Sequence, residues 1–535
     1  MRKIFFFAAL AMSASMSAQV IGWTALDYGG TTTSSGTTNI RHTLGNDSGE
    51  VFLLGQGSSV GDAPTLTMFG QAWEVCPFTP DQSKTNNNIV ITKVDKDFKP
   101  LWVSVSNRGA FDDSYVGLPT SDGGLIVAVI SKHIDKNQLG DNKVMQLTGS
   151  NGTSVSREEP YVEGESKKYG TIVRYSATGE PSIQAKFYPV DGSFSFCNLL
   201  SDGTYYYMLV ALNPGLVIGK DTIKSDLADN EGSMAIIKLN ENFEVQGYVK
   251  TGGIKVSSTT ANLVYANGKL YMVTGVSAAE GKTLSMGKQS LTMVGTNSAL
   301  LAVVSTDMEC EKLILVEGSR ENNKNSVSVN NSAVLGNNAY ISGFFMGGFK
   351  TDAGILTNTG TNNAFVLKVD LTTGKCMKGE QIGSSAGIAT SQKLLTRGDS
   401  LYLYYYDWGV AAGNPRIKLQ AYDENLNKGA VYPLICSSQM ETAFDATIVG
   451  NALAYTFRTR STISFAADEE QTFTASGHFT GLAAMQTLFG KPSTPTDNVE
   501  TSGAINNKKT QKVIINGQLY IRRGEQWFNA LGQML

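Results

Sequence analysis

Ala364-Phe-Val-Leu-Lys-Val-Asp370 is an alternating apolar run, followed by a turn at Thr373-Gly374 and a second run that ends at Ile382. A Gly-Ser break comes next, then Gln392 to Leu395, a tight turn at Arg397-Gly398-Asp399 and the aromatic run Leu401 to Tyr406. Side chains that alternate with period two, bounded by residues that accept positive φ, predict short antiparallel strands joined by hairpins.

The first run recurs as Ile89 to Asp95, Thr171 to Ser176, Ala235 to Asn240, Leu300 to Ser305, Ile417 to Asp423 and, more weakly, Leu482 to Leu488. With Lys93, Arg174, Lys238, Val303, Lys368, Ala421 and Gln486 as equivalent positions, the gaps are 81, 64, 65, 65, 53 and 65 residues. A Gly/Asn/Asp turn between apolar runs also recurs seven times, at Asn46 to Gly49, Asp122 to Gly124, Asp202-Gly203, Asn267-Gly268, Gly336 to Asn338, Gly398-Asp399 and Gly450-Asn451. A fixed period of this length marks a repeat architecture.

The first turn lacks an initial strand before it, and Leu482 to Leu488 lacks a turn after it, so the two ends complement each other. The expected fold is all-β, a β-propeller of seven blades. Its closing blade is expected to take three strands from the N-terminus and one from the C-terminus, which leaves no exposed edges. An open solenoid is the structural alternative.

Gly343-Phe-Phe-Met-Gly-Gly-Phe-Lys350 with Asn362-Asn-Ala-Phe-Val-Leu-Lys-Val-Asp370 resembles the bacterial SBBP-type β-propeller repeats, in which a glycine-rich hairpin precedes a D-A-F-V-A-K-L-D strand. Ile91 to Asp95 with Leu101-Trp102, Asp112-Asp113 and Ser121 to Gly124 resembles them equally. The likeness runs over roughly residues 20 to 490, although Asn363 stands where the repeat has an acidic residue. It implies a fold and no catalytic residues.

The ends of the chain carry an address. Met1-Arg2-Lys3, the apolar run Ile4 to Met12 and small residues to Ala18 have the form of a secretory signal peptide, residues 1–18, with cleavage near Ser17 or Ala18. No later run is long enough for a transmembrane helix. After the propeller, 19–490, a polar linker of residues 491–511 leads to a β tail, 512–535. Lys512 to Ile521, Arg522-Arg523-Gly524 and Trp527 to Gly532 are similar to a short C-terminal tail frequent in secreted proteins of Bacteroidetes and reminiscent of type IX secretion sorting signals. The resemblance implies secretion or display at the cell surface; a small β element without an address role would leave the protein in the periplasm.

Of the 535 residues, 56 are glycine, 17% are charged and 41% are apolar, enough for a buried core. A net charge of −3 and the lack of a basic cluster exclude nucleic acid as an expected partner. The five cysteines, Cys76, Cys197, Cys310, Cys376 and Cys436, form no CxxC pair and read as scattered strand residues. At most two disulfides are available to them.

Candidate chemistry is sparse. His42, His133 and His478 lack metal-ligand spacing, and no cofactor or metal is named. GxSxG occurs at Gly57 to Gly61 and Gly383 to Gly387, in neither case with the following helix that a nucleophile elbow needs. Asp112-Asp113 and Asp468-Glu469-Glu470 are the densest acidic spots and read as solvated loops rather than a glycosidase pair. Tyr205 to Tyr207 and Tyr402 to Trp408 place rings on both faces of a strand. Tyr206, Tyr404, Tyr406 and Trp408 are the candidate ligand contacts.

The expectation is a monomeric, exported, non-catalytic propeller that binds a protein or glycan. A secreted glycan hydrolase or lyase and a structural envelope component are the alternatives.

Overall fold

A computed structural model describes residues 18–28, 37–59, 65–75, 86–111, 115–133, 142–162, 167–227, 232–256, 261–294, 297–321, 324–385, 387–439, 441–475 and 478–489, with the backbone of 510–515, 518–523 and 526–529. The signal-peptide run, most of the linker, Asp112-Asp113 and Cys76 lie outside the described residues. The described residues are all-β, their named strands pair antiparallel, and none forms a helix long and apolar enough to cross a membrane. The chain divides into two compact units, Met1–Phe489 and Gly490–Leu535.

Within the first unit, seven four-stranded antiparallel ladders succeed one another among the described residues. In the fifth, Ser326–Leu335, Asn338–Met346, Asn363–Asp370 and Cys376–Ile382 pair in chain order. All seven turns expected from the sequence join the first (leading) and second strands. Each holds a left-handed residue, Gly49, Gly123, Gly203, Asn267, Gly336, Gly398 or Gly450. The leading strand of each ladder packs on that of the next, and the leading strand of the seventh, Thr442–Val449, packs on that of the first, Thr37–Gly45.

The repeat is phased differently from the sequence expectation. Asn363–Asp370 and its copies are third strands, not initial ones. Thr480–Thr487 is therefore the third strand of a C-terminal trio, and Gln19–Tyr28 alone pairs to it, in register from Gln19↔Thr487 to Leu26↔Gly481. The expected group of three N-terminal strands with one C-terminal strand is replaced by the reverse. The reason is that Thr37–Gly45 and Val51–Ser59 already have partners of their own, since Val51–Ser59 pairs with Asn86–Val94 and that strand with Pro100–Arg108.

The irregular gaps also have a structural cause. Hairpins between second and third strands reach back to the outer edge of the preceding ladder: Thr65–Met68 pairs with Gln19–Tyr28, Thr283–Met286 with Val245–Gly252, and Thr462–Phe465 with Lys428–Ser437. The gap of 81 contains a larger hairpin, Lys143–Gly149 with Ser154–Glu158, that extends Pro100–Arg108. The gap of 53 lacks one, because Ser400–Asp407 and Pro415–Tyr422 are joined directly. Such hairpins cover edge strands that would otherwise expose unpaired backbone groups.

A second device joins neighbouring ladders. After the third strand the chain turns through Phe98, Phe243, Met308 or Leu426, each with φ between 54° and 65° and each buried. Left-handed backbone is unfavourable for such residues, so packing and turn hydrogen bonds must hold it. Asp95 Oδ1 accepts from the amides of Asp97 and Lys99, and Asn240 and Asp423 repeat the pattern. The apolar side chain then lies on the fourth strand of the preceding ladder. A Cβ at Gly22 would come within 2.9 Å of Phe98, and one at Gly247 within 3.3 Å of Met308.

The second unit contains a three-stranded antiparallel sheet, Thr510–Ile515, Gln518–Arg523 and Gln526–Asn529.

Candidate functional site

A cavity of about 1270 Å³ is lined by residues from six of the ladders and by Ala261, just before the leading strand of the fourth. That exceeds the usual range of roughly 300–1,000 Å³ for small-molecule sites. Five leading strands carry a β-bulge facing the second strand, so that Arg41, Cys197, Asn330, Gln392 and Phe444 are each the extra residue in the register. All five line the cavity. A bulge re-aims a side chain that alternation would have sent elsewhere. Here the same step of the repeat is used five times to present one variable side chain per ladder.

The aromatic candidates separate. Tyr406 and Trp408 line the cavity, their ring centroids 5.1 Å apart, and the Trp408 indole donates to the Glu441 carbonyl. Tyr404 is wholly buried between ladders and donates to the Thr456 carbonyl at 2.9 Å. Tyr206 stacks on Phe243 at 4.7 Å, away from the cavity. Phe444 carries Arg41 over its ring at 5.5 Å.

Beside the cavity, Asp445 ties three ladders together. Its carboxylate accepts from the Thr43 amide at 3.1 Å and pairs with Lys393 at 3.0 Å and His42 at 3.6 Å. Burial pushes this carboxyl up, and Lys393 and His42 outweigh the burial, leaving it below the usual carboxylate value. His133 sits edge-on to Tyr161 and Tyr169, and His478 meets Asp27 at 2.7 Å.

Ser384, in the second GxSxG, directs its amide and hydroxyl to the buried Asp407, and Gly387 and Gly409 meet backbone to backbone beside it. Ala386 of the motif lies outside the described residues. The first copy, Gly57 to Gly61, runs past the described residues. Asp468 to Glu470 begin an outer hairpin strand. Among the described carboxyls, Glu441 is the one raised above its ordinary value, by burial, and the Ser461 hydroxyl donates to it at 2.7 Å. Cys310, Cys376 and Cys436 are free thiols, and burial pushes the Cys197 thiol up to about 12. The described residues contain no group of three His, Cys, Asp or Glu placed to hold a metal.

Sequence reasoning missed Arg41, Asn330, Gln392 and Phe444, because a bulge interrupts the alternation that would mark them.

No family model matches the chain, and no curated protein matches it. Among solved structures it is similar to the Dos1 propeller, at 8% identity and TM-score 0.40, over 89% of this chain and 97% of that one. It is also similar to a subtype N10 neuraminidase-like protein of A/little yellow-shouldered bat/Guatemala, at 10% identity and TM-score 0.31, over 88% and 99% of the two chains. A prolyl endopeptidase matches at 11% identity and TM-score 0.36, over 80% of this chain and 55% of its own length.

Proposed function

We propose that the chain is an exported, seven-bladed β-propeller that binds a protein or glycan ligand in its central channel without transforming it. The seven ladders are the blades. Closure is supported by Gln19–Tyr28 completing the seventh ladder, by Phe98 of the first ladder lying on Gly22 of that strand, and by Asp445 bonding Thr43. The observation that carries the binding reading is the five-fold bulge. A fold-wide device spends its irregularity on aiming Arg41, Cys197, Asn330, Gln392 and Phe444 into one cavity. The sequence of residues 1–18 and the tail of 512–535 support secretion or surface display.

A glycan-degrading enzyme draws on Glu441, whose raised value suits a general acid. Burial accounts for that value structurally, against the opposing pull of the Ser461 hydroxyl that donates to it.

The test is a glycan array and a pull-down with the full chain, alongside the cavity-filling variant Gln392→Trp. A ligand bound by the wild type, released unchanged and lost from Q392W is the expected result. Binding that Q392W leaves intact would move the site out of the channel, and turnover of the ligand would overturn the non-catalytic reading.

A further inference from the structure

Among the described residues, the outer edges of six ladders are continued by a further strand. Lys143–Gly149 pairs with Pro100–Arg108 of the first ladder, Gly215 to Ile218 with Phe187 to Val190 at the edge of the second, and Thr283–Met286 with Val245–Gly252 of the third. Gly348–Thr351 pairs with Gly318–Ser319, just past Cys310–Val316 of the fourth, Thr462–Phe465 with Lys428–Ser437 of the sixth and Thr65–Met68 with Gln19–Tyr28 of the seventh. The outer strand of the fifth, Cys376–Ile382, has no such partner among the described residues, because the sixth ladder lacks the hairpin that would supply it.

The direction of its backbone groups follows from the register. Asp370 donates its amide to the Lys375 carbonyl at 3.0 Å and accepts from the Gly374 amide at 2.8 Å, so it faces the outer strand, as do Lys368, Val366 and Ala364 by alternation. Their partners Lys378, Glu380 and Ile382 point inward. Gly379 and Gln381 therefore turn their N–H and C=O outward, and the Gln381 carbonyl accepts from Lys428 Nζ at 3.1 Å. The Cys376 carbonyl accepts from the Asp352 amide at 2.8 Å, which closes one end and leaves the edge open from Met377 to Gln381. An open edge is a template for another strand.

Charged side chains blunt many such edges, lysine above all. Here the sixth ladder draws them to one face of the strand. Lys378 Nζ donates to the carbonyls of Asn425 and Leu426 at 3.2 and 3.1 Å, and Glu380 pairs with Lys428 at 3.3 Å. Met377 is exposed, and so is Ile355 on the hairpin whose Leu356 lies within 2.9 Å of where a Cβ on Gly379 would stand.

We propose that this edge pairs, antiparallel, with the same edge of a second copy of the chain. The strand is self-complementary about Gly379. With Gly379 opposite Gly379 of the second copy, Lys378 stands opposite that copy's Glu380 and Glu380 opposite its Lys378, so no like charges meet. Gly379 turns both backbone groups outward, so the central pair exchanges two N–H···O bonds. Strand addition of this kind draws its affinity from the main chain. The contact is isologous and closes at two copies, in place of the monomer expected from the sequence. Five residues a side make a small interface, and dissociation is expected at about 10–100 μM. The pairing is independent of what the channel binds.

The experiment is sedimentation equilibrium of the full chain at rising concentration, with folding of each variant checked by its melting temperature. Lys378→Glu and Glu380→Lys are each expected to weaken the wild-type dimer at least about tenfold, because each sets like charges opposite one another. An equimolar mixture of K378E and E380K is expected to dimerise again, since every facing pair is then opposite in sign. Gln381→Pro removes an outward N–H that the ladder does not use and is expected to abolish the dimer. If Q381P fails to fold, the two charge variants and their mixture carry the test. A wild type that is still monomeric at about 200 μM overturns the proposal. So does a dimer that K378E and E380K leave intact, or a mixture of the two that stays monomeric.

Discussion

The ladders' outer turns and inner bulges are built on opposite rules. At the outer turn after the third strand, Phe98, Phe243, Met308 and Leu426 are all apolar, buried and held in the same left-handed conformation. At the bulge of the leading strand the backbone event is as regular, but the side chains are Arg41, Cys197, Asn330, Gln392 and Phe444, which share neither charge nor size. The outer turn spends its irregular residue on apolar burial between ladders. The inner bulge spends its residue on chemistry. A repeat can therefore keep its architecture while five of its copies vary at one position that faces a common cavity.

Truncation at the outer turn should break this contrast most visibly. Phe243, buried and stacked on Tyr206, should cost about 3–4 kcal/mol as Phe243→Ala in urea denaturation. The same truncation at the bulge, Gln392→Ala, should change stability by no more than about 0.5 kcal/mol. Equal costs at the two positions would erase the distinction.

Asp445 stands where the two regimes meet, buried like the outer residues but polar and next to the cavity. Asp445→Asn should cost about 2–3 kcal/mol, because Lys393 would lose its counter-charge. The folded carboxyl titrates below its unfolded value, so the stability it contributes is complete above about pH 4 and is lost as pH falls through the folded value. Melting temperatures across acid pH should fall more steeply for the wild type than for D445N; parallel curves would remove Asp445 from the linkage.

Much of the frame was legible in the sequence, for a physical reason. Gly49, Gly123, Gly203, Gly336, Gly398 and Gly450 are needed where φ turns positive, and apolar strands such as Leu125–Lys132 and Asn363–Asp370 must alternate or be wholly buried. These local demands mark the residues directly. The phase of the repeat was not legible, because adjacent strands of one ladder and of the next are equally apolar and only hydrogen-bond register tells them apart. Tyr404 and Tyr406 show the same limit. Both sit in one aromatic run, and only the neighbouring ladders decide that the first faces Thr456 and the second the cavity. Phe444 and Gln392 carried no sequence signal, since a bulge is a property of a pair of strands.

The central claim is that the chain's two ends share one ladder, which brings the leading strands around a common cavity. Gln19 and Thr487 are register partners. Opposed Cα atoms in an antiparallel pair lie roughly 4.5–5.5 Å apart, within disulfide reach. The chain from Ala18 onward, carrying Gln19→Cys and Thr487→Cys, should crosslink under mild oxidation. Because the bond closes nearly the whole chain, it should raise stability by up to about 5 kcal/mol, read as a higher melting temperature that reductant abolishes. Failure to crosslink in the folded protein, or a crosslink that leaves melting unchanged, would contradict the account.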